Sequence, residues 1–276
     1  MARIDTRNSS RYWRDPHVPG LSCLAADFTS HEYAPHSHDA FVVAVTEAGG
    51  SEFKSRGSTE EASAATLLVF NPAEPHSGRM GWSKRWRYRG LYLSKPAIEA
   101  VGRSLGIGAT PYFTANAFKD EALVASFLAL HQALDDGRDA LEEHELLVSS
   151  FGVLFRRHGS GGEPIPTAPR DRELAGLVQA LMNERYTEEL TLDEMGTVVG
   201  LTPFQLIGLF KRATGLTPHA YLTQVRLKAA FRELKAGTPI VEAALAAGFC
   251  DQSALNKHFK RCFGITPLQW LRATRG

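Results

Sequence analysis

The chain has 276 residues, 43% hydrophobic and 22% charged, with a formal net charge of +1. At the usual ~100–200 residues per domain this length suggests two domains, and the composition excludes a globally disordered chain. No apolar run approaches the ~18 residues that span a bilayer, and the opening stretch MARIDTRNSSRYWRDP has no apolar signal core, so a cytoplasmic protein away from membranes is expected.

Charge is unevenly spread. Residues 203–276 hold eleven Lys/Arg against three acids (Glu233, Glu242, Asp251), a balance of +8, while the other 202 residues balance to −7. A basic end on an acidic body is the footprint of a polyanion-binding module, although a solvated basic face has the same composition. Cys23, Cys250 and Cys262 are odd in number and lack metal-type spacing. They fit a reducing compartment and read as small buried side chains.

From the N-terminus, residues 21–93 alternate short apolar runs with turn residues. Segments 41–45, 66–70 and 86–93 are rich in branched and aromatic side chains, as strands are. Pro35, Gly49-Gly50, Gly57, Asn71-Pro72 and Gly78 to Gly81 read as the punctuation between them. Many short strands at this spacing predict a sandwich or barrel. In the strand 86–93, Trp86, Tyr88 and Tyr92 fall on one side, with Arg87, Arg89 and Leu91 on the other.

The pattern changes at Ser94-Lys-Pro96, a capping serine followed by a proline suited to a first helical turn, and a helix is expected to about Leu105. Two more helices follow, one with Phe118, Leu123, Phe127, Leu130 and Leu134 on one face, the next with Leu141, Leu147, Phe151, Leu154 and Phe155. This pair packs either within its own domain or against a second subunit. Residues 158–169, mostly Gly, Pro and small polar side chains without periodicity, read as a linker.

Beyond the linker the chain repeats. Phe210-Lys-Arg-Ala-Thr-Gly-Leu-Thr-Pro218 matches Phe259-Lys-Arg-Cys-Phe-Gly-Ile-Thr-Pro267 at an offset of 49, and Val199-Gly200-Leu201 matches Ala247-Gly248-Phe249 at 48. Thr191-x-x-Glu194 is a capping box. Thr202-Pro203, Thr217-Pro218, Thr238-Pro239 and Thr266-Pro267 each set a cap residue before a first-turn proline. Gly200 and Gly248 sit where a sharp turn between short helices favours positive φ. Each copy therefore reads as a helix-turn-helix. The joining helix, about 218–236, would be roughly 27 Å long, setting the two second helices near the ~34 Å of one DNA turn. Leu192, Met195, Leu201, Leu206, Phe210, Leu255 and Phe259 are expected in the core.

These residues resemble the AraC/XylS family of bacterial transcription regulators over about 190–272, most strongly in the tract from Gly248 to Pro267. The resemblance implies sequence-specific binding of double-stranded DNA, with base-contacting helices at 202–213 and 251–262. Thr202, Phe204 and Gln205 in the first, and Gln252, Ser253, Asn256 and Lys257 in the second, are the expected groove-facing residues. Gln and Asn suit adenine edges, Lys suits guanine, and Phe204 suits thymine methyls. Lys211, Arg212, Lys260 and Arg261 are expected on phosphates. The first helix departs from the family pattern in having Ile207 and Gly208 at positions that are often polar, so the second is expected to carry more specificity.

The segment Tyr33-Ala-Pro-His-Ser-His38, with Phe70-Asn-Pro-Ala-Glu-Pro-His76, resembles the cupin-type ligand-binding half found in many members of this family. The implied effector residues are Tyr33, His36, His38 and His76, joined by Arg89 if it points into the barrel. His-x-His with a later His is also the metal set of catalytic cupins. Those enzymes add a Glu soon after the second His, and here Glu47 is the nearest candidate, with Asp39 as the other acid nearby. No metal, cofactor or catalytic residue is assigned. A metal-dependent cupin enzyme fused to a DNA-binding module is the alternative.

The expected fold class is thus α+β and multidomain. Residues 1–157 form a cupin-like β-barrel with a helical part at about 94–157. A linker spans 158–169, and 170–276 form an all-α domain of two helix-turn-helix units joined by a long helix. Expected partners are DNA, a small-molecule effector, a second copy of the chain, and RNA polymerase if the protein activates transcription.

Overall fold

The computed structural model describes residues 8–162, 164–263 and 265–275. Residues 1–7 of the opening stretch, Glu163 of the linker segment and Gly264 of the second Gly-x-Thr-Pro ending lie outside the described residues. The chain divides into two compact units, Met1–Pro166 and Thr167–Gly276.

In the first unit, β1 (Ser9–Arg14), β2 (Leu21–Phe28), β8 (Trp86–Leu93), β4 (Phe41–Ser55), β6 (Thr66–Phe70) and β9 (Ala117–Phe118) are antiparallel neighbours in that order. A second set, β3 (Glu32–His36), β7 (His76–Met80) and β5 (Ser58–Ser63), joins through the far half of β4. β4 therefore serves both sheets, and Gly49-Gly50 lie inside it rather than in a turn. Gly49 has φ +74, and a Cβ there would stand 1.6 Å from the Arg85 carbonyl oxygen, so the glycine lets the strand bend from one sheet into the other. Gly78 likewise falls within β7, and Pro35 within β3, where the register shifts between Tyr33 and His36. Arg56 and Gly57, both at positive φ, make the tight turn from β4 to β5.

α1 (Lys95–Leu105) starts after Ser94, whose side chain makes no capping bond; Pro96 alone serves the first turn. α2 (Glu121–Asp136) and α3 (Ala140–His158) are capped by Asp120 and Asp139. Phe118 belongs to β9, not to α2, because it pairs with Leu67 before the helix begins. The other expected apolar positions of both helices are buried. They pack on each other and on the sheet, where Phe41 meets Phe113, Phe151 and Phe155 at ring separations of 5.5 to 6.1 Å. Beyond α3, Ser160 exchanges two backbone hydrogen bonds with Tyr112, 2.7 and 3.1 Å, so this end of the linker segment is tied down.

The second unit consists of α4 (Arg172–Glu184), α5 (Leu192–Val199), α6 (Pro203–Thr214), α7 (Pro218–Ala236), α8 (Ile240–Ala246), α9 (Gln252–Phe263) and α10 (Pro267–Arg275). Thr191 with Glu194 and Thr202 with Gln205 form capping boxes at α5 and α6. Thr238 does not cap α8, because its hydroxyl donates to Glu233 Oε2 at 3.0 Å and Pro239 takes the cap position. Gly200 and Gly248 have φ +66 and +82, the left-handed geometry that lets each chain reversal fit. α7, about 28 Å long at 1.5 Å per residue, packs against α4 and α6 and also against α8 and α9. Leu192, Met195, Leu206, Phe210, Leu255 and Phe259 are fully buried, whereas Leu201 is half-buried. Cys23 is buried, but Cys250 and Cys262 are exposed, so two of the three cysteines are not the core side chains expected.

Candidate functional site

α6 turns Pro203, Leu206, Ile207, Leu209 and Phe210 into the core. Ile207, an apolar residue where a reading side chain was expected, is therefore a packing residue. Lys211 and Arg212 are exposed on the opposite side, with Phe204 and Gln205 half-buried beside them. Thr202 and Gln205 are engaged in the capping box, and the Gln205 amide also donates to Thr167 O at 3.2 Å. Arg212 donates to the carbonyls of Ala168 and Pro169 at 2.8 and 2.6 Å, not to an open site.

α9 is better exposed. Asp251 caps it by accepting from Ala254 N at 2.7 Å. Ala254, Leu255, His258 and Phe259 are buried, which leaves Ser253, Lys257, Lys260 and Arg261 in solvent and Gln252 and Asn256 at the margin. Phe231 of α7 packs against Phe259 with the rings tilted by 39° at 4.7 Å and anchors the helix from below. Amide, hydroxyl and ammonium groups on one exposed face match the chemistry of a major-groove edge. The basic end of the chain lies in this same unit.

In the first unit, His36, His38 and His76 converge, each offering a ring nitrogen within 4.8 Å of the others. His36 Nδ1 donates to Ala34 O at 2.7 Å and His76 Nδ1 to Glu74 O at 2.9 Å, which fixes both rings and leaves Nε2 of each for a ligand. His76 stacks on Phe70 at 4.0 Å, and His38 lies edge-on to Tyr92 at 5.2 Å. Tyr33, 5.9 Å from His36, shares a 2.6 Å hydroxyl contact with Tyr88. Burial, with His36 and His76 nearby, pulls His38 down to about 4, and burial lowers His76 as well, so these two rings favour the neutral form.

Arg89 is not part of this cluster. It lies on the other face of β8, 2.9 Å from Glu47, and the same carboxylate lies 3.3 Å from Arg87. A bulge between Thr46 and Ala48 aims Glu47 at these arginines. Glu47 is therefore unavailable as the carboxylate ligand of a cupin metal set, and Asp39 is exposed. Sequence reasoning placed Trp86, Tyr88 and Tyr92 on one strand face without joining them to the histidines, and it quoted the segment from Phe70 to His76 without giving Phe70 or Glu74 a role. The available signal was the alternation of β8 together with an acid two residues before His76.

Comparison with known proteins agrees with both halves. Residues 18–151 match the AraC-like ligand binding domain, and residues 195–273 match a helix-turn-helix domain. The chain belongs to the AraC family of transcriptional regulators. Among its relatives, the HTH-type regulator YbfI of Bacillus subtilis is 28% identical over 240 residues, 87% of this chain and 86% of that protein. The regulator MtrA of Neisseria gonorrhoeae is 31% identical over 102 residues, 37% of this chain and 34% of that protein. The crystal structure of fatty-acid-bound ToxT from Vibrio cholerae aligns over 98% of this chain and 97% of that one, at 13% identity and a TM-score of 0.38. This AraC-family member is accordingly a DNA-binding transcriptional regulator with a cupin-like ligand-binding unit. Among the described residues no helix is long and apolar enough to cross a membrane.

Proposed function

We propose that the regulator senses a small molecule at Tyr33, His36, His38 and His76, with Tyr92 and Phe70 as apolar walls, and reads its operator chiefly through α9. The convergence of three imidazoles on one point, two of them oriented by backbone carbonyls, carries this reading. Imidazole Nε2 atoms turned away from the backbone, with tyrosine hydroxyls beside them, suit a ligand that offers hydrogen-bond donors. With Arg89 on the other strand face, nothing in the cluster calls for an anion. An effector acts only through different affinities for two states of the regulator. On this reading residues 1–157 sense, 158–169 link and 170–276 bind DNA in the cytoplasm, as a homodimer that contacts RNA polymerase if it activates. Gln252, Ser253, Asn256 and Lys257 face bases, while Lys211, Lys260 and Arg261 hold phosphates.

The test is a thermal-shift screen of the full chain against metabolites and divalent ions. A true ligand stabilises by mass action, and His38→Ala abolishes the shift. A screen hit whose effect survives His38→Ala refutes the assignment of the site. The three imidazoles also favour a second reading, a metal-dependent cupin enzyme joined to a DNA-binding unit. Stoichiometric iron, manganese or zinc in the purified protein, lost in His36→Ala, would support that reading over the first.

A further inference from the structure

The C-terminal unit opens with three residues that lie across α6. The Thr167 carbonyl accepts from Gln205 Nε2 at 3.2 Å, and the carbonyls of Ala168 and Pro169 accept from Arg212 Nη2 at 2.8 and 2.6 Å. Between these two anchors Ala168 rests on Gly208, where an added Cβ would stand 3.1 Å from the Ala168 methyl. Gln205, Gly208 and Arg212 follow one another at i, i+3 and i+7, a single stripe along the helix. The opposite stripe, centred on Leu206 and Phe210, is buried in the core. The covered stripe therefore lies on the side that α6 can present to DNA, and only Phe204 and Lys211 remain at its other flank.

Steric arithmetic makes this contact and a groove contact exclusive. A major groove is about 12 Å wide, and a helix with its side chains is about 10–12 Å across, so one helix fills it. An extended segment laid on that helix adds about 5 Å. Arg212 meanwhile spends its guanidinium on main-chain carbonyls, where a phosphate was expected. Gly208, which departs from the family pattern, is what the contact requires, because any side chain larger than a methyl would push Ala168 away.

We infer that Thr167-Ala168-Pro169 is a strap occupying the reading face of α6, and that α6 enters a groove only when the strap leaves. The inference rests on the proposed reading of α6 as a DNA-contacting helix and adds how that contact is regulated. Six residues separate the strap from Ser160, which is bonded to Tyr112 in the other unit.

The test locks the strap in the full chain, with Cys250→Ser and Cys262→Ser as background. In Ala168→Cys/Gly208→Cys the Cβ atoms need to separate by only a few tenths of an ångström to reach the ~3.5–4.5 Å of a disulfide. Binding is measured on a duplex that the parent selects from a random library. The oxidised form is expected to bind roughly tenfold or more weakly than its own reduced form, the worth of about one good base contact or more, with affinity restored by reductant. Ala168→Trp, too large to rest on Gly208, is expected to bind about threefold or more tighter than the parent by raising the competent fraction. Crosslinked protein, verified by mass, that binds like its reduced form overturns the strap. If no crosslink forms, Ala168→Trp decides, and parental affinity overturns it. Lys211→Ala, outside the strap, separates the two failures. Weakened binding there beside a neutral crosslink sinks the strap alone, whereas no effect of either sinks the α6 reading and the strap with it.

Discussion

The carboxylate of Glu74 and the imidazole of His76 are tied to one short backbone segment: His76 Nδ1 donates to Glu74 O at 2.9 Å, while the Glu74 side chain accepts from four neighbours. Ser55 Oγ and Asn116 Nδ2 reach Oε1 at 2.7 and 2.8 Å, and Arg56 Nη2 and Asn71 Nδ2 reach Oε2 at 2.6 and 2.8 Å. Burial works to raise the acid, but these donors overcome it and hold Glu74 at about 2. The folded value lies below the unfolded one, so Glu74 stabilises above pH 4.5 and that gain is lost as pH falls toward about 2. Glu74→Ala strands these donors and is expected to cost on the order of 3 kcal/mol. Glu74→Gln keeps an acceptor and costs less. Urea unfolding of the full chain at pH 7 reads both, and equal stability of Glu74→Ala and the parent would refute the role.

Three histidines make the sensor unit sensitive to milder acid. Burial pulls His38 and His131 down to about 4 and lowers His76. Between the unfolded value of 6.5 and those folded values the unfolded chain binds more protons, so stability falls as pH drops. His131, only 3% exposed, accounts for about 2 kcal/mol between pH 7 and pH 5. Glu143, raised by burial against the opposing bond from His17, works in the other direction. Denaturation midpoints measured across this range should fall with acid, and His131→Gln, which keeps a donor for Leu24 O, should flatten the slope. A parent slope that His131→Gln leaves unchanged would show that the residue is not held neutral.

Much of this was legible because the signals are local. Caps at Thr191 and Thr202 and the left-handed glycines at 200 and 248 depend on a few adjacent residues, and the repeat gave the glycine signal twice. The histidine cluster was legible as a motif. What failed depends on distant partners. The path of β4 through Gly49 is set by the Arg85 carbonyl, thirty-six residues on. Arg89 could be assigned to a strand face, but which face meets the histidines depends on where α2 and α3 pack. Thr238 has every mark of a cap, yet Glu233 in the preceding helix takes its hydroxyl.

On the proposed reading, the exposed face of α9 divides into residues that read bases and residues that anchor phosphates. Asn256→Ala is expected to relax preference at one or two base pairs, about 1–3 kcal/mol of discrimination for a lost bidentate contact. Lys260→Ala is expected to weaken all duplexes alike and to reduce the slope of log affinity against log salt by about 1. Binding-site selection followed by salt titration distinguishes them. An Asn256→Ala protein that selects the parental site with undiminished stringency would remove α9 from base readout.

Gly200 and Gly248 occupy equivalent turns but differ in what surrounds them. Both have positive φ, so alanine at either carries the left-handed penalty of about 1–2 kcal/mol. At Gly200 no atom lies within 4 Å of an added Cβ, and the cost stops there. At Gly248 that Cβ would stand 2.5 Å from Tyr186 O and 2.8 Å from Thr187 Cα, backbone atoms held in place by Arg226, which donates to Tyr186 O at 2.8 Å. Gly248→Ala should therefore destabilise the C-terminal unit more than Gly200→Ala by an overpacking cost of about 1–3 kcal/mol. Thermal unfolding of the two variants gives the difference directly. Equal losses would mean that the loop carrying Tyr186 yields freely and does not brace the second turn.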